Sequence, residues 1–160
     1  MRTLVIFAAA AAVLLAESSA GLKWTAPSGW ASKGPAPMRA ATYAVGDAEC
    51  VIYFFGPGQG GSVDANISRW SGQFSGGASA RVTKLNVHGL PVTRMDVSGT
   101  YVATGGAAMT QQAAKAGSRM LAAIVEGPGG SIFVKFTGPA GSMANRVAEF
   151  DKLIASFQKE

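Results

Sequence analysis

The 160-residue chain holds one cysteine, Cys50, and one histidine, His88. A thiolate beside an imidazole is the minimum set for nucleophilic catalysis, so the pair sets the first question. The counts already exclude an intramolecular disulfide framework, a multi-cysteine zinc site and a paired-histidine metal centre within one chain. Cys50 alternates with Ile52 and Phe54 in Cys-Val-Ile-Tyr-Phe-Phe, which makes it a small core residue on one face of a strand. His88 stands in the turn pair His88-Gly89 and is expected at the surface. A serine enzyme using His88 lacks the Gly-x-Ser-x-Gly elbow. A carboxylate-pair hydrolase fares no better, because Glu149 and Asp151 are two residues apart and cannot share a helical face. The reading is therefore a non-enzyme with no catalytic residues, no metal and no cofactor. The alternative, a small exported hydrolase, requires Asp96, Glu126 or His88 to meet a serine in one concave pocket.

Binding chemistry is better represented. Gly56-Pro57-Gly58-Gln59-Gly60-Gly61 fits GxGxxG between an expected strand and an expected helix, the setting of a dinucleotide-binding turn. No Asp or Glu follows at about 20 residues to hold a ribose, and hairpins stand where βαβ units are required. The loop keeps a milder capacity: glycines allow close backbone approach, and the N–H groups of Gly60, Gly61 and Ser62 at a helix N-terminus can receive an anion or a partner's carboxylate. Trp24 and Trp30 could add an aromatic platform. Gly58, Gln59, Gly60, Gly61, Ser62, Trp24 and Trp30 form the expected contact set, for an unknown protein or a small anionic ligand.

The N-terminus locates the protein. Met-Arg-Thr, the apolar run Leu4 to Leu15 and Ala16-Glu17-Ser18-Ser19-Ala20 have the charge, apolar core and small-residue end of a secretory signal peptide, with cleavage after Ala20. Residues 21–160 then form one periplasmic or secreted domain of bacterial type, without a membrane-spanning segment. The formal charge of +5 stays with residues 21–160, because Arg2 and Glu17 leave together. Its basic residues are scattered, which argues against nucleic-acid binding. Asn66-Ile67-Ser68 fits a glycosylation acceptor but falls inside an expected helix and is incidental.

The elements that must position these residues follow from periodicity. Strands are expected at about Leu22 to Ala26, Met38 to Val45 and Glu49 to Phe55. Val63, Ile67, Trp70 and Phe74 then fall on one helical face over Ser62 to Phe74, with Ser62 as cap and Asp64 in the first turn. Arg81 to Val87 and Leu90 to Val102 form a hairpin across His88-Gly89, and Arg119 to Glu126 and Ser131 to Thr137 form another across Gly127 to Gly130. Thr104 to Ser118 reads as a loop with a helical turn. Met143, Val147, Phe150, Ile154 and Phe157 predict a closing helix capped by Ser142. Hairpins dominate, so the fold class is α+β, a mainly antiparallel sheet with both helices packed on it.

Four segments resemble the PsbP-like superfamily, which spans photosystem PsbP, Ran-binding Mog and bacterial DcrB-type exported proteins. They are Trp24-Thr-Ala-Pro27-Ser-Gly29-Trp30, Ala65-Asn66-Ile67-Ser68-Arg69-Trp70, Val87-His88-Gly89-Leu90-Pro91-Val92 with Asp96-Val97-Ser98-Gly99, and Phe150-Asp151-Lys152-Leu153-Ile154-Ala155-Ser156-Phe157. The resemblance implies an α-β-α sandwich used for binding or assembly. None of these motifs is catalytic.

Overall fold

A computed structural model describes residues 16–34, 36–77, 79–102 and 113–160. The apolar run Leu4 to Leu15 and the greater part of the loop expected from Thr104 lie outside the described residues. Strands β1 (Ala16–Ser19), β2 (Leu22–Thr25), β3 (Ala31–Ser32), β4 (Arg39–Val45) and β5 (Ala48–Tyr53) come first, followed by α1 (Val63–Ser71). Then come β6 (Phe74–Ser75), β7 (Arg81–Val87), β8 (Leu90–Tyr101), β9 (Lys115–Gly127) and β10 (Gly130–Pro139). Helices α2 (Ala140–Ala144) and α3 (Val147–Ala155) and a last short strand, β11 (Gln158–Lys159), complete the chain.

The main sheet is antiparallel throughout and ordered β3-β4-β5-β10-β9-β8-β6, with β7 also paired to β8. A small second sheet is ordered β1-β2-β11. The hairpin at His88-Gly89 forms as expected, with positive φ at both residues, 49° and 80°, the twist a two-residue link needs. Strand β9 is buried on both faces: Met120, Leu121, Ala122, Ala123, Ile124 and Val125 are fully inaccessible.

Two-residue alternation divides the apolar side chains between the faces of the sheet. One face carries Cys50, Ile52, Leu121, Val134 and Phe136 against Phe150, Leu153 and Ile154 of α3, with Trp24, Trp30 and Phe157 completing that core. The opposite face carries Met95, Val97, Met120, Ala122, Ile124 and Phe133, packed under Trp70 of α1. The architecture is the expected α+β arrangement, helices on both faces of an antiparallel sheet.

Three elements differ from the expectation. Helix α1 starts where Ser62 caps it, its Oγ accepting from Ala65 N at 3.2 Å, but it ends at Ser71 and Phe74 enters β6. Lys115 to Ser118, expected in a loop, begin β9. The closing helix is two helices broken at Asn145-Arg146, although the apolar stripe runs through the break. Ser142 lies inside α2, where it donates to Pro139 O and to Asp47, and caps nothing. Arg146 turns away from helical geometry and reaches back to Asp47 at 2.9 Å. Residues 16–19, which the sequence marks as the end of a leader, pair with β2 through an Ala20-Gly21 turn whose φ angles are 57° and 72°.

Candidate functional site

The two sheet faces are not covered equally. Helices α2 and α3, with the small sheet, close one of them, while the nine residues of α1 shield only part of the other. Among the described residues, the sheet beside α1 lies open as a groove of about 1130 Å³. Its floor comes from alternate residues of β5 and β10, Val51 and Tyr53 beside Phe133, Lys135 and Thr137. Arg69 and Trp70 of α1, with Gln73 just beyond it, form one wall, and Tyr101 and Lys115 lie along the lining as well.

Aromatic rings run along the floor. Tyr53 stacks on Phe55 at 5.7 Å, Phe55 tilts against Phe133 at 5.5 Å, and Trp70 meets Phe133 edge-on at 6.4 Å. Phe55 is left 37% exposed, an apolar ring facing solvent at the mouth. Lys135 rises among these rings with its Nζ 5.8 Å from the centre of Trp70. Burial, with the charge of Arg69 adding to it, pushes its ammonium down to about 8. Burial also pushes the phenols of Tyr53 and Tyr101 up, and the two are close enough to act on each other.

The charges do not balance. Glu49 is taken by Lys33 at 2.7 Å and Arg39 at 3.6 Å. Asp47 accepts from Ser142 and from Arg146, and both hold its carboxyl below the usual range. Among the described residues, the Arg69 guanidinium donates only to the neutral Asn66 Oδ1. Among the described residues, Lys135, Arg69 and Lys115 have no carboxylate within ion-pair distance.

The solution structure of cyanobacterial PsbP, CyanoP from Synechocystis sp. PCC 6803, superposes with a TM-score of 0.57 over 96% of this chain and 99% of that one, at 15% sequence identity. The chain has a PsbP-like fold. No protein-family model matches the sequence, and no curated protein matches it at a significant level. At this identity the likeness carries architecture alone.

Within the PsbP-like fold the residues expected to form the contact surface separate. Trp24 is 1% exposed and Trp30 9%. Trp24 stacks on Phe157 at 5.3 Å and its Nε1 donates to Tyr43, and Trp30 packs on Phe136 at 4.8 Å and donates to Glu149. Both indoles are core residues of the closed face, with their one polar atom satisfied, and offer no platform to a ligand. Gly58, Gln59, Gly60, Gly61 and Ser62 do lie at the surface or near it, adjoining the groove through Phe55 and Asn66. Their glycines have structural work: Gly56, Gly58, Gly60 and Gly61 all have φ between 68° and 108°, and a Cβ on Gly60 would stand 2.5 Å from the Phe133 ring. Asn66, 1% exposed, ties the loop to α1 by donating from Nδ2 to Gly60 O at 2.8 Å and Ser62 O at 2.9 Å.

The residues weighed for catalysis lie outside the groove lining. Cys50 is fully buried in the closed core, where burial pushes its thiol well up, and His88 Nδ1 bonds Phe157 O at 2.9 Å. Asp96 is held bidentately by Arg119 at 2.9 and 2.7 Å. None of Asp96, Glu126 and His88 lines the groove. Lys135, Arg69, Tyr53 and Tyr101 do not stand out in the sequence. One signal exists for Lys135: a cation inside the otherwise apolar run Ile132 to Phe136, on the same strand face as Phe133.

Proposed function

We propose that this chain is an exported, non-enzymatic binding protein whose ligand lies in the groove beside α1. The observation that carries the reading is the groove itself, an aromatic floor with a few convergent polar groups, the usual anatomy of a small-molecule site. The burial of Cys50, and the lining of the groove by residues other than His88, Asp96 and Glu126, favour binding over hydrolysis. Asn66 gives the glycine loop a supporting part, since it fixes Gly60 on one side and Arg69 on the other.

Export rests on residues 1–20, and among the described residues no helix is long and apolar enough to cross a membrane. Cleavage after Ala20 removes β1 and with it Glu17, which accepts from the Tyr43 hydroxyl at 2.7 Å. Intact-mass analysis of protein recovered from the envelope tests the first half of the reading: a product beginning at Gly21 supports it, and retention of residues 1–20 in a cytoplasmic product overturns it. For the second half, amide chemical shifts are followed during titration with a panel of small aromatic molecules. Shifts confined to residues 49–55, 66–73, 115–118 and 133–137 support the groove. Shifts centred on His88, Asp96 or Glu126, with turnover of an ester probe, favour the hydrolase.

A further inference from the structure

The lining of the groove is positive as well as aromatic. Lys33, Arg39, Arg69, Lys115 and Lys135 face only Asp47 and Glu49, and both of these carboxylates already have cationic partners. Lys135 is the telling member. A half-buried ammonium without a counter-ion is unfavourable unless something repays its lost hydration, and the face of Trp70 repays it only in part. Arg69 stands exposed beside it, and among the described residues its guanidinium fork meets a single amide oxygen, which leaves donors for an anion. An anion between them would satisfy both. The rings of Tyr53 and Phe55, stacked nearly parallel with an interplanar angle of 13°, border that position. They offer an apolar surface to a flat group that carries the charge.

We propose that the groove binds a small aromatic carboxylate, its oxygens against Lys135 and Arg69 and its ring against Tyr53 and Phe55. This rests on the reading of the groove as the ligand site and names the class of ligand. The phenol hydroxyls of Tyr53 and Tyr101 line the same space and can donate to a carboxylate oxygen. Discrimination comes from charge, because the same ring without its carboxylate would leave the half-buried Lys135 desolvated and unpaired.

The test uses 2-naphthoate and its neutral counterpart 2-naphthylmethanol, titrated into residues 21–160 and into the full chain, with affinities from calorimetry and the site from amide shifts. At pH 6.5 naphthoate is expected to bind about ten-fold or more tightly than the alcohol, the usual scale of a desolvated charge-assisted contact. Lys135→Met should bring naphthoate down to the alcohol's level, and Arg69→Gln should weaken it several-fold. Lys152→Ala, which removes an exposed cation on α3, should change neither. Between pH 6.5 and 9.5 the advantage of naphthoate should fade through about 8 as Lys135 loses its proton, while the alcohol is unaffected. The charged and titratable groups around Lys135 are Arg69 on α1, Glu49 and Tyr53 on β5, Arg39 on β4, Tyr101 on β8 and Lys115 on β9. Of these, Tyr53 and Tyr101 titrate above this range, so they do not mimic the loss. Equal binding of alcohol and naphthoate in the groove overturns the charge selection and leaves the groove reading intact. An equal loss from Lys152→Ala and Lys135→Met also overturns it, by showing a general field effect. If neither compound shifts groove residues, the proposal and the groove reading fall together. Thermal melts of each variant confirm that it is folded, and Arg69→Gln decides between the outcomes if Lys135→Met fails to fold.

Discussion

The two faces of one sheet follow opposite rules. Under α2 and α3 the polar atoms among the rings are matched: Trp24 with Tyr43 and Trp30 with Glu149. Under α1 cations outnumber carboxylates and Phe55 faces water. The difference is one of coverage. A nine-residue helix is about 14 Å long and cannot roof strands of ten to thirteen residues, so one face closes into a core and the other is left as a concave surface. The closed face shows what this chain does with polar groups when only stability is at stake, and that makes the mismatch around Lys135 informative.

The comparison breaks most readily at the aromatic residues. Phe136→Ala, on the closed face between Trp30 and Phe150, should destabilise by about 3–5 kcal/mol in urea unfolding. Phe55→Ala, on the open face, should lose less than about 1 kcal/mol, as its ring is already partly in water. Equal losses would mean that the open face is core after all. The glycine loop gives the next largest contrast. Gly60→Ala should cost about 2–3 kcal/mol, from its φ of 92° and its contact with Phe133, while Gly58→Ala, with nothing near its Cβ, should cost about 1 kcal/mol.

The smallest effect concerns pH. The ammonium of Lys135 is depressed in the folded state, so between about 8 and 10.5 the unfolded chain holds more protons at this residue and stability rises with pH across that window. Chemical denaturation should show a contribution of about 1–2 kcal/mol that is absent in Lys135→Met. A variant with unchanged pH dependence would place Lys135 in free solvent and remove the contrast between the faces.

Local features were legible in the sequence where one residue type decides a local geometry. Ser62 caps α1, His88-Gly89 makes its hairpin, and the two-sided burial of β9 follows from its unbroken apolar run. The break at Asn145-Arg146 was not, because it goes with a contact from Arg146 to Asp47, nearly a hundred residues away in the chain. The site was illegible for the same reason. Arg69, Tyr101 and Lys135 belong to a helix and two strands, brought together by the packing of α1 on the sheet and by pairing through β9, and no spacing within the chain brings them together. The glycines of residues 56–61 have the look of a contact loop, yet their dihedrals and the Phe133 ring already account for them.

The burial of β9 has a consequence in time. Met120 to Val125 are inaccessible and hydrogen-bonded on both sides, to β8 and to β10, so their amides can exchange with deuterium only when the whole domain opens. Strand β10, which carries Phe133 and Lys135, is locked to this slowest-opening segment. Helix α1 is held mainly by Trp70, Ile67 and Val63 at the border of the sheet and should exchange sooner. The groove thus has a rigid floor and a softer wall. A bound molecule would find Lys135 already in place, and the slack needed to fit molecules of different size would come from the side of Arg69.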